Sequence, residues 1–229
     1  MAPVLVLVHT VPMLLPVFTR LCSEMLPRVR VHHILDEPLL ERLKQRGRLD
    51  PEDGERLLQH AALARQIGAG LVLVTCSSIS PAVDGVREQA SVPMLKIDEA
   101  MIARAVELGG RIGVVATAPT TLQPTRQALE AEAERRGRRV SVELVLVEGA
   151  MSALQAGNGD THDRLVREAV LALMPRVDGV VLAQASMARV LQVLPQAERS
   201  VPVLSSPHLA LERVLAILAT MAAQETGDG

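Results

Sequence analysis

Aromatic side chains are almost absent from this sequence: one phenylalanine, no tyrosine and no tryptophan among 229 residues. That shortage excludes single-strand nucleic-acid recognition built on base stacking, which needs aromatic platforms. It also argues against a pocket that sandwiches a flat cofactor between rings. A bias toward one charge is lacking too. The formal net charge is -2 with 22% charged residues, and the one basic cluster is Arg135-Arg136-Gly137-Arg138-Arg139. It follows an Ala/Glu-rich stretch and reads as a solvated helix end, where cations complement the dipole. No nucleic-acid partner is expected. Long apolar runs are missing as well. The segment Met1–Val8 is short, lacks a basic lead and stops at His9, so it reads as a buried strand rather than a secretion signal. No stretch reaches membrane-spanning length, and no membrane partner is expected. Two cysteines without a secretion signal point to free thiols in a reducing, cytoplasmic compartment. No GxGxxG follows a strand and no GxxxxGK(S/T) occurs. His32, His33, His60 and His162 show no metal-ligand spacing with cysteine or carboxylate. The sequence therefore leads us to expect neither a cofactor nor a metal.

What is abundant is aliphatic residue, within a hydrophobic total of 48%. Apolar runs at Val4–Val8, Val29–Leu35, Leu71–Val74, Ile112–Ala116, Val140–Val147, Val180–Ala183 and Val201–Leu204 read as strands. Those at Leu71, Ile112 and Val180 are continuous rather than alternating, as parallel strands covered on both faces require. Between them lie helix-length segments: Pro51–Ile67, Asp98–Leu108, Thr121–Arg136, Thr161–Met174 and His208–Met221. The class is α/β with mainly parallel sheets.

The chain also repeats itself. Val8-His9-Thr10-Val11-Pro12 matches Val115-Ala116-Thr117-Ala118-Pro119. Val29-Arg30-Val31 leading to Asp36-Glu37 matches Val140-Ser141-Val142 leading to Val147-Glu148. Gly70-Leu71-Val72-Leu73-Val74 and Ser91-Val92-Pro93-Met94-Leu95 match Gly179-Val180-Val181-Leu182-Ala183 and Ser200-Val201-Pro202-Val203-Leu204. Three blocks in order at nearly one offset predict two pseudo-symmetric Rossmann-like halves. Residues 1–97 with 205–229 form the first and residues 98–204 the second. Each half is expected to be a short parallel sheet with helices on both faces. Ligands of such sheets bind at the carboxyl ends of the strands, so the active site is expected in a cleft between the halves.

Three strand ends carry small polar residues. In the first, Val74-Thr75-Cys76-Ser77-Ser78 is followed by Ser80-Pro81, a plausible N-cap and first helical residue. Cys76 then stands above a helix N-terminus, where the dipole and backbone N–H groups favour a thiolate. A buried cysteine serving only as a small hydrophobe is the alternative; polar neighbours speak against it. Cys22 falls among Phe18, Leu21 and Met25 at helical spacing and reads as core. The second strand end, Ala116-Thr117-Ala118-Pro119-Thr120-Thr121, has the hydroxyls and turn N–H groups of a small-anion cradle; an ordinary Thr-capped helix is the alternative. Its first-half counterpart holds His9 and Thr10, with His9 either donating to an anion, shuttling a proton or merely structural. The third, Leu182-Ala183-Gln184-Ala185-Ser186-Met187, is the repeat partner of the Cys76 loop. Ungapped, the repeat pairs Cys76 with Ala185; shifted by one it pairs Cys76 with Gln184. Neither register supplies a second thiol. Glu37 and Glu148 are repeat partners at strand ends and Asp98-Glu99 begins the crossover; any could line the cleft, with exposed caps as their default role.

The duplicated halves and these three loops resemble the aspartate/glutamate racemase superfamily. That group holds glutamate, aspartate and hydantoin racemases, maleate isomerase and arylmalonate decarboxylase. The resemblance covers nearly the whole chain. It implies a cofactor-independent enzyme in which a thiolate from one half removes the proton alpha to a carboxylate and a thiol from the other reprotonates the opposite face. Cys76 matches the first thiol, and Gln184 stands in place of the second. Glutamine is neither acid nor base near neutral pH, though it can donate hydrogen bonds to an enediolate oxygen. The expected function is thus an isomerase or racemase-like enzyme acting alpha to the carboxylate of a small organic or amino acid. Catalysis is assigned to Cys76, Gln184 and His9, and substrate binding to Thr10, Ser77, Ser78, Thr117, Thr120, Thr121, Ala185 and Ser186. Three one-thiol chemistries stay open: decarboxylation with one-sided protonation, thiolate addition to an activated double bond, and racemisation with a non-cysteine second acid such as His9. A non-catalytic small-carboxylate-binding protein is the competing class. The aliphatic composition adds the expectation of a homodimer or higher homo-oligomer.

Overall fold

Aliphatic strands dictate the architecture. The computed structural model describes residues 2–227. It divides into two compact units, one gathering the chain up to Ile97 and the segment from Pro207 on, the other running Asp98–Ser206.

The first unit is a four-stranded parallel sheet in the order β2-β1-β3-β4. Its strands are β1 (Val4–His9), β2 (Arg30–Leu35), β3 (Leu71–Val74) and β4 (Met94–Lys96). The connecting helices are α1 (Leu14–Met25), α2 (Glu37–Arg46), α3 (Pro51–Gln66) and α4 (Ser80–Val86). Both faces of β1 and β3 are buried, which explains their unbroken apolar sequences. Val4, Val6, Val8, Val72 and Val74 pack with Leu39, Leu43, Leu57, Ala61 and Val83 from α2, α3 and α4. Residues of opposite parity, Leu5, Leu7, Leu71 and Leu73, are equally buried and point the other way. His9 shares that second parity, and its ring centroid lies 5.5 Å from that of Phe18 on α1.

The second unit repeats the plan, with sheet order β6-β5-β7-β8. Its strands are β5 (Gly110–Ala116), β6 (Val140–Leu146), β7 (Gly179–Leu182) and β8 (Val203–Ser205). Its helices are α5 (Glu99–Leu108), α6 (Pro119–Arg135), α7 (Ala150–Gln155), α8 (Gly159–Leu173) and the single turn α9 (Val190–Val193). A 3₁₀ segment, Ala185–Arg189, precedes α9. The last helix, α10 (Ser206–Gly227), belongs to the first unit from Pro207 onward. Its Met221 Cε would lie 3.5 Å from a Cβ placed on Gly70, just before β3.

Two local expectations need correction. Ser80 is the first residue of α4 rather than its cap; Ile79 precedes the helix and makes no side-chain cap hydrogen bond. The basic cluster after α6 is not merely solvated. Arg136 binds Glu132 and Glu107, and Arg138 donates to the carbonyls of Val106 and Glu107, tying the end of α6 to the end of α5. Gly137, at φ +62°, supplies the left-handed residue that turns the chain there. Among the described residues no helix is long and apolar enough to cross a membrane.

Candidate active site at the strand carboxyl ends

Buried polar residues concentrate at one edge of each sheet. His9 and Thr10 follow β1, Asp36 follows β2, and Thr75, Ser77 and Ser78 follow β3; all are buried. In the second unit Thr117 and Thr121 follow β5, and Ser205 and Ser206 close β8 and open α10. Burying polar groups is costly without partners, so an otherwise aliphatic protein keeps such residues at the strand ends for a reason.

Strand register settles which loop residues correspond. β1 and β3 pair Val8 with Val74, and the Thr75 N–H donates to the Val8 carbonyl at 2.9 Å. β5 and β7 pair Val115 with Leu182, and the Ala183 N–H donates to the Val115 carbonyl at 2.9 Å. Thr75 thus corresponds to Ala183, His9 to Ala116, Thr10 to Thr117 and Cys76 to Gln184. The ungapped match of Cys76 with Ala185 is one residue out.

Gln184 has a specific task in its own unit. Its Oε1 accepts from the Thr117 N–H at 2.6 Å, the Thr117 hydroxyl at 3.0 Å and the Ala118 N–H at 3.2 Å. Two backbone donors fix the orientation of the amide, because only oxygen can accept from them. Nε2 is therefore a donor facing elsewhere; among the described residues it makes no hydrogen bond, and the residue is half-buried. The Thr117 donors expected from sequence to cradle a small anion hold a side chain of the protein instead. Thr121 is buried and its carbonyl accepts from Thr125 Oγ1 at 2.8 Å; Thr120 is half-buried. Ala185 is buried and Ser186 half-buried in the 3₁₀ segment after Gln184.

The first unit has a different arrangement. Cys76 is 7% exposed, and neither it nor Cys22 forms a disulfide. The chain turns directly after it, with the Ile79 N–H donating to the Cys76 carbonyl and the Ser80 N–H to that of Ser77. Ser77 and Ser78 are buried in this turn. Thr10 is also buried, and its Oγ1 has no hydrogen-bond partner among the described residues. Cys22 lies in the core under α1, and burial pushes its thiol up to about 11.

His9 lies within a chain of hydrogen bonds that sequence reasoning missed. Its Nδ1 is 2.8 Å from Thr75 Oγ1 and its Nε2 is 2.8 Å from His33 Nδ1. The Thr75 hydroxyl donates to the Val8 carbonyl at 3.1 Å, so it accepts from His9 Nδ1–H. Neutral His9 then accepts at Nε2 from His33 Nδ1–H. Burial, with the neighbouring His33, lowers the His9 pKa to about 4. Burial and His32 also lower that of His33. His33 Nε2 reaches toward Thr19 Oγ1 at 3.5 Å on the exposed side. His33 shows no metal-ligand spacing in the sequence; only the pairing of β1 with β2 reveals its partner.

Two further clusters hold the loops in place. Asp36, after β2, accepts from the Leu39 N–H, from Arg56 through Nε at 2.5 Å and a terminal nitrogen at 2.9 Å, and contacts His60 Nε2 at 2.6 Å. Burial pushes its carboxyl up, but hydrogen bonds and charge from Arg56 and His60 outweigh that and hold it below its usual range. In the second unit Asp163 joins His162 Nδ1 at 2.8 Å and Arg189 Nε at 2.8 Å, anchoring the 3₁₀ segment after Gln184 to the start of α8. Glu37 and Glu148 are exposed, while Asp98 is buried at the start of α5. Among the described residues no group of histidine, cysteine and carboxylate could hold a metal ion.

Several known racemases share this fold. It matches an allantoin racemase from Klebsiella pneumoniae with a TM-score of 0.73 at 19% identity, covering 95% of this chain and 88% of that one. It matches a glutamate racemase isoform from Bacillus anthracis with a TM-score of 0.67 at 18% identity, covering 96% and 82%. It matches an aspartate racemase homologue from Pyrococcus horikoshii OT3 with a TM-score of 0.69 at 14% identity, covering 96% and 100%. No curated protein sequence matches the chain. At these identities the solved structures establish the fold alone. The family profile described as Asp/Glu/Hydantoin racemase matches residues 15–214, and the chain belongs to that family.

Proposed function

We propose that this racemase-family enzyme acts alpha to the carboxylate of a small organic or amino acid, with Cys76 as its one reacting thiol. The observation that carries the proposal is the correspondence of Cys76 with Gln184. One strand end presents a sulfur, and its equivalent presents a carboxamide whose oxygen is already bound by three donors.

A carboxamide neither takes nor gives a proton at neutral pH. Symmetric two-thiol racemisation is therefore disfavoured, and Gln184 is assigned a different role. Its Nε2 is a neutral donor held in fixed orientation, suited to an enediolate oxygen as charge develops there. Cys76 supplies the proton transfer, or the nucleophilic attack, that the reaction needs. His9 is a positioning residue: both ring nitrogens are engaged, and its Nδ1–H holds the Thr75 hydroxyl next to Cys76 in the chain. Ser77, Ser78 and Thr10 complete the set of groups near the strand ends assigned to the substrate; the Thr117 N–H and hydroxyl are instead taken by Gln184.

Three reactions fit one thiol: racemisation with a non-thiol acid, decarboxylation, and addition to an activated double bond. They differ in product and are separated in one experiment. The protein is incubated in deuterium oxide with amino acids, 2-substituted malonates and maleate, and proton and carbon NMR follow the mixture. Alpha deuteration, loss of carbon dioxide or cis–trans isomerisation identifies the reaction. Absence of all three across the panel would overturn the proposal.

A further inference from the structure

The strand-end loops after β1 and β5 correspond by register, and in the second the donors hold a side chain of the protein. In the second unit the donors are the Thr117 N–H, the Thr117 hydroxyl and the Ala118 N–H, all converging on one carboxamide oxygen. By strand register the corresponding donors in the first unit are the Thr10 N–H, the Thr10 hydroxyl and the Val11 N–H. None of these three has a hydrogen-bond partner among the described residues, and Thr10 Oγ1 is buried as well as unpaired. A buried hydroxyl without a partner costs free energy unless a ligand satisfies it.

The reason for the difference is side-chain length. Cys76 occupies the position of Gln184 but ends at Sγ, where glutamine continues through Cγ and Cδ to its amide. The missing atoms are those of a carboxyl-like group. Gln184 Cδ, Oε1 and Nε2 have nearly the shape of a carboxylate, so the second unit carries a tethered copy of what the first unit can take. We propose that Thr10 and Val11 form a carboxylate subsite beside Cys76 and that the Gln184 side chain marks the pose of the bound carboxylate.

Two other features of the first unit agree with a negative occupant. Helix α1 begins four residues after Thr10, with no acidic residue in its first turn and no side-chain cap, so its dipole is uncompensated. The neighbouring His9 is neutral near pH 7, with its nitrogens directed to Thr75 and His33, and offers no competing countercharge. The carboxylate next to the reacting carbon is the group a thiol at this position needs held. The subsite thus deepens the proposed function and rests on Cys76 being the reacting group.

Acetate is the probe, with its affinity measured by NMR line broadening of carbon-13-labelled acetate. Thr10→Val is expected to weaken acetate binding about tenfold or more, as loss of a hydrogen bond to a charged group does. Thr10→Ser, which keeps the hydroxyl, is expected to restore it. Thr117→Val is expected to leave acetate affinity unchanged, because Gln184 already occupies that cradle. Gln184→Ala is expected to open a second acetate site, which Thr117→Val then removes. Cys76→Ser is expected to retain acetate while losing isotope exchange, so a failure of the thiol assignment and a failure of the subsite are distinguishable. Unchanged acetate affinity in Thr10→Val overturns the subsite. So does a rise in the pKa of the Cys76 thiol in Thr10→Val without weaker acetate binding, which would mean that the donors serve the thiolate itself.

Discussion

His9 Nε2 lies 2.8 Å from His33 Nδ1, the two rings stacked with centroids 5.1 Å apart. A proton added to either ring therefore sits against a second imidazole, and for His9 also in a site closed to solvent.

That pair makes stability depend on pH. The His9 pKa is lowered to about 4 from an unfolded value near 6.5, so between those limits the unfolded chain binds a proton that the folded one refuses. Stability is complete above about pH 6.5 and falls as pH drops toward 4, by roughly 3 kcal/mol for His9 alone. His33 adds in the same direction. Urea unfolding at pH 7 and pH 4.5 checks this, and His9→Gln is expected to flatten the pH slope in this window even though it lowers stability at pH 7.

Asp36 acts at lower pH and with the charged form favoured. Its carboxylate gains from Arg56 and His60, so its contribution is present above about pH 4 and is lost as pH falls through the folded value. Asp36→Ala leaves the Leu39 N–H and the Arg56 guanidinium without their acceptor. We expect a loss of about 3 kcal/mol, as for one partner removed from a buried pair, read from the midpoint of urea denaturation at pH 7.

The two thiols are expected to differ in reactivity. Cys22 is 3% exposed with its thiol pushed up to about 11, so little thiolate exists near neutral pH. Iodoacetamide at pH 7.5, followed by intact-mass spectrometry, is expected to give one adduct that maps to Cys76 and disappears in Cys76→Ser. A first adduct on Cys22 would contradict the assignment of the reactive thiol.

A glycine in β5 tests the packing. A Cβ on Gly113 would lie 2.4 Å from Leu173 Cδ2 and 2.9 Å from its Cγ. Val6 stands at the corresponding position of the first unit. Gly113→Ala is expected to destabilise by about 1–3 kcal/mol, the usual cost of overpacking, seen as a lower thermal midpoint.

Much of this architecture is legible in the amino-acid order alone. Continuous apolar runs such as Leu71–Val74 and Gly179–Leu182 have no reading other than covered strands once helix-length segments separate them. The repeat then follows from matching runs. Shorter elements are less visible. The strand β4 has three residues and α4 and α7 are brief, too short to show a period. At the site, Cys76 and Thr117 are legible because small polar residues stand out after aliphatic strands. The partners are not. His9 meets His33 only because β2 lies beside β1 in one register, and Gln184 reaches Thr117 across two loops. The pairing of Cys76 with Gln184 is ambiguous in sequence because loop lengths shift the repeat offset, whereas the ladder of backbone hydrogen bonds does not shift.

The central claim is that one thiol carries the chemistry. The most direct measurement is the rate of alpha deuteration, decarboxylation or isomerisation of whichever acid turns over, compared between the parent protein, Cys22→Ser and Cys76→Ser. One-thiol chemistry predicts a rate within a few-fold of the parent for Cys22→Ser and a loss of about a thousandfold or more for Cys76→Ser, as expected when a general base or nucleophile is removed. Retention of the parent rate by a folded Cys76→Ser protein would contradict it.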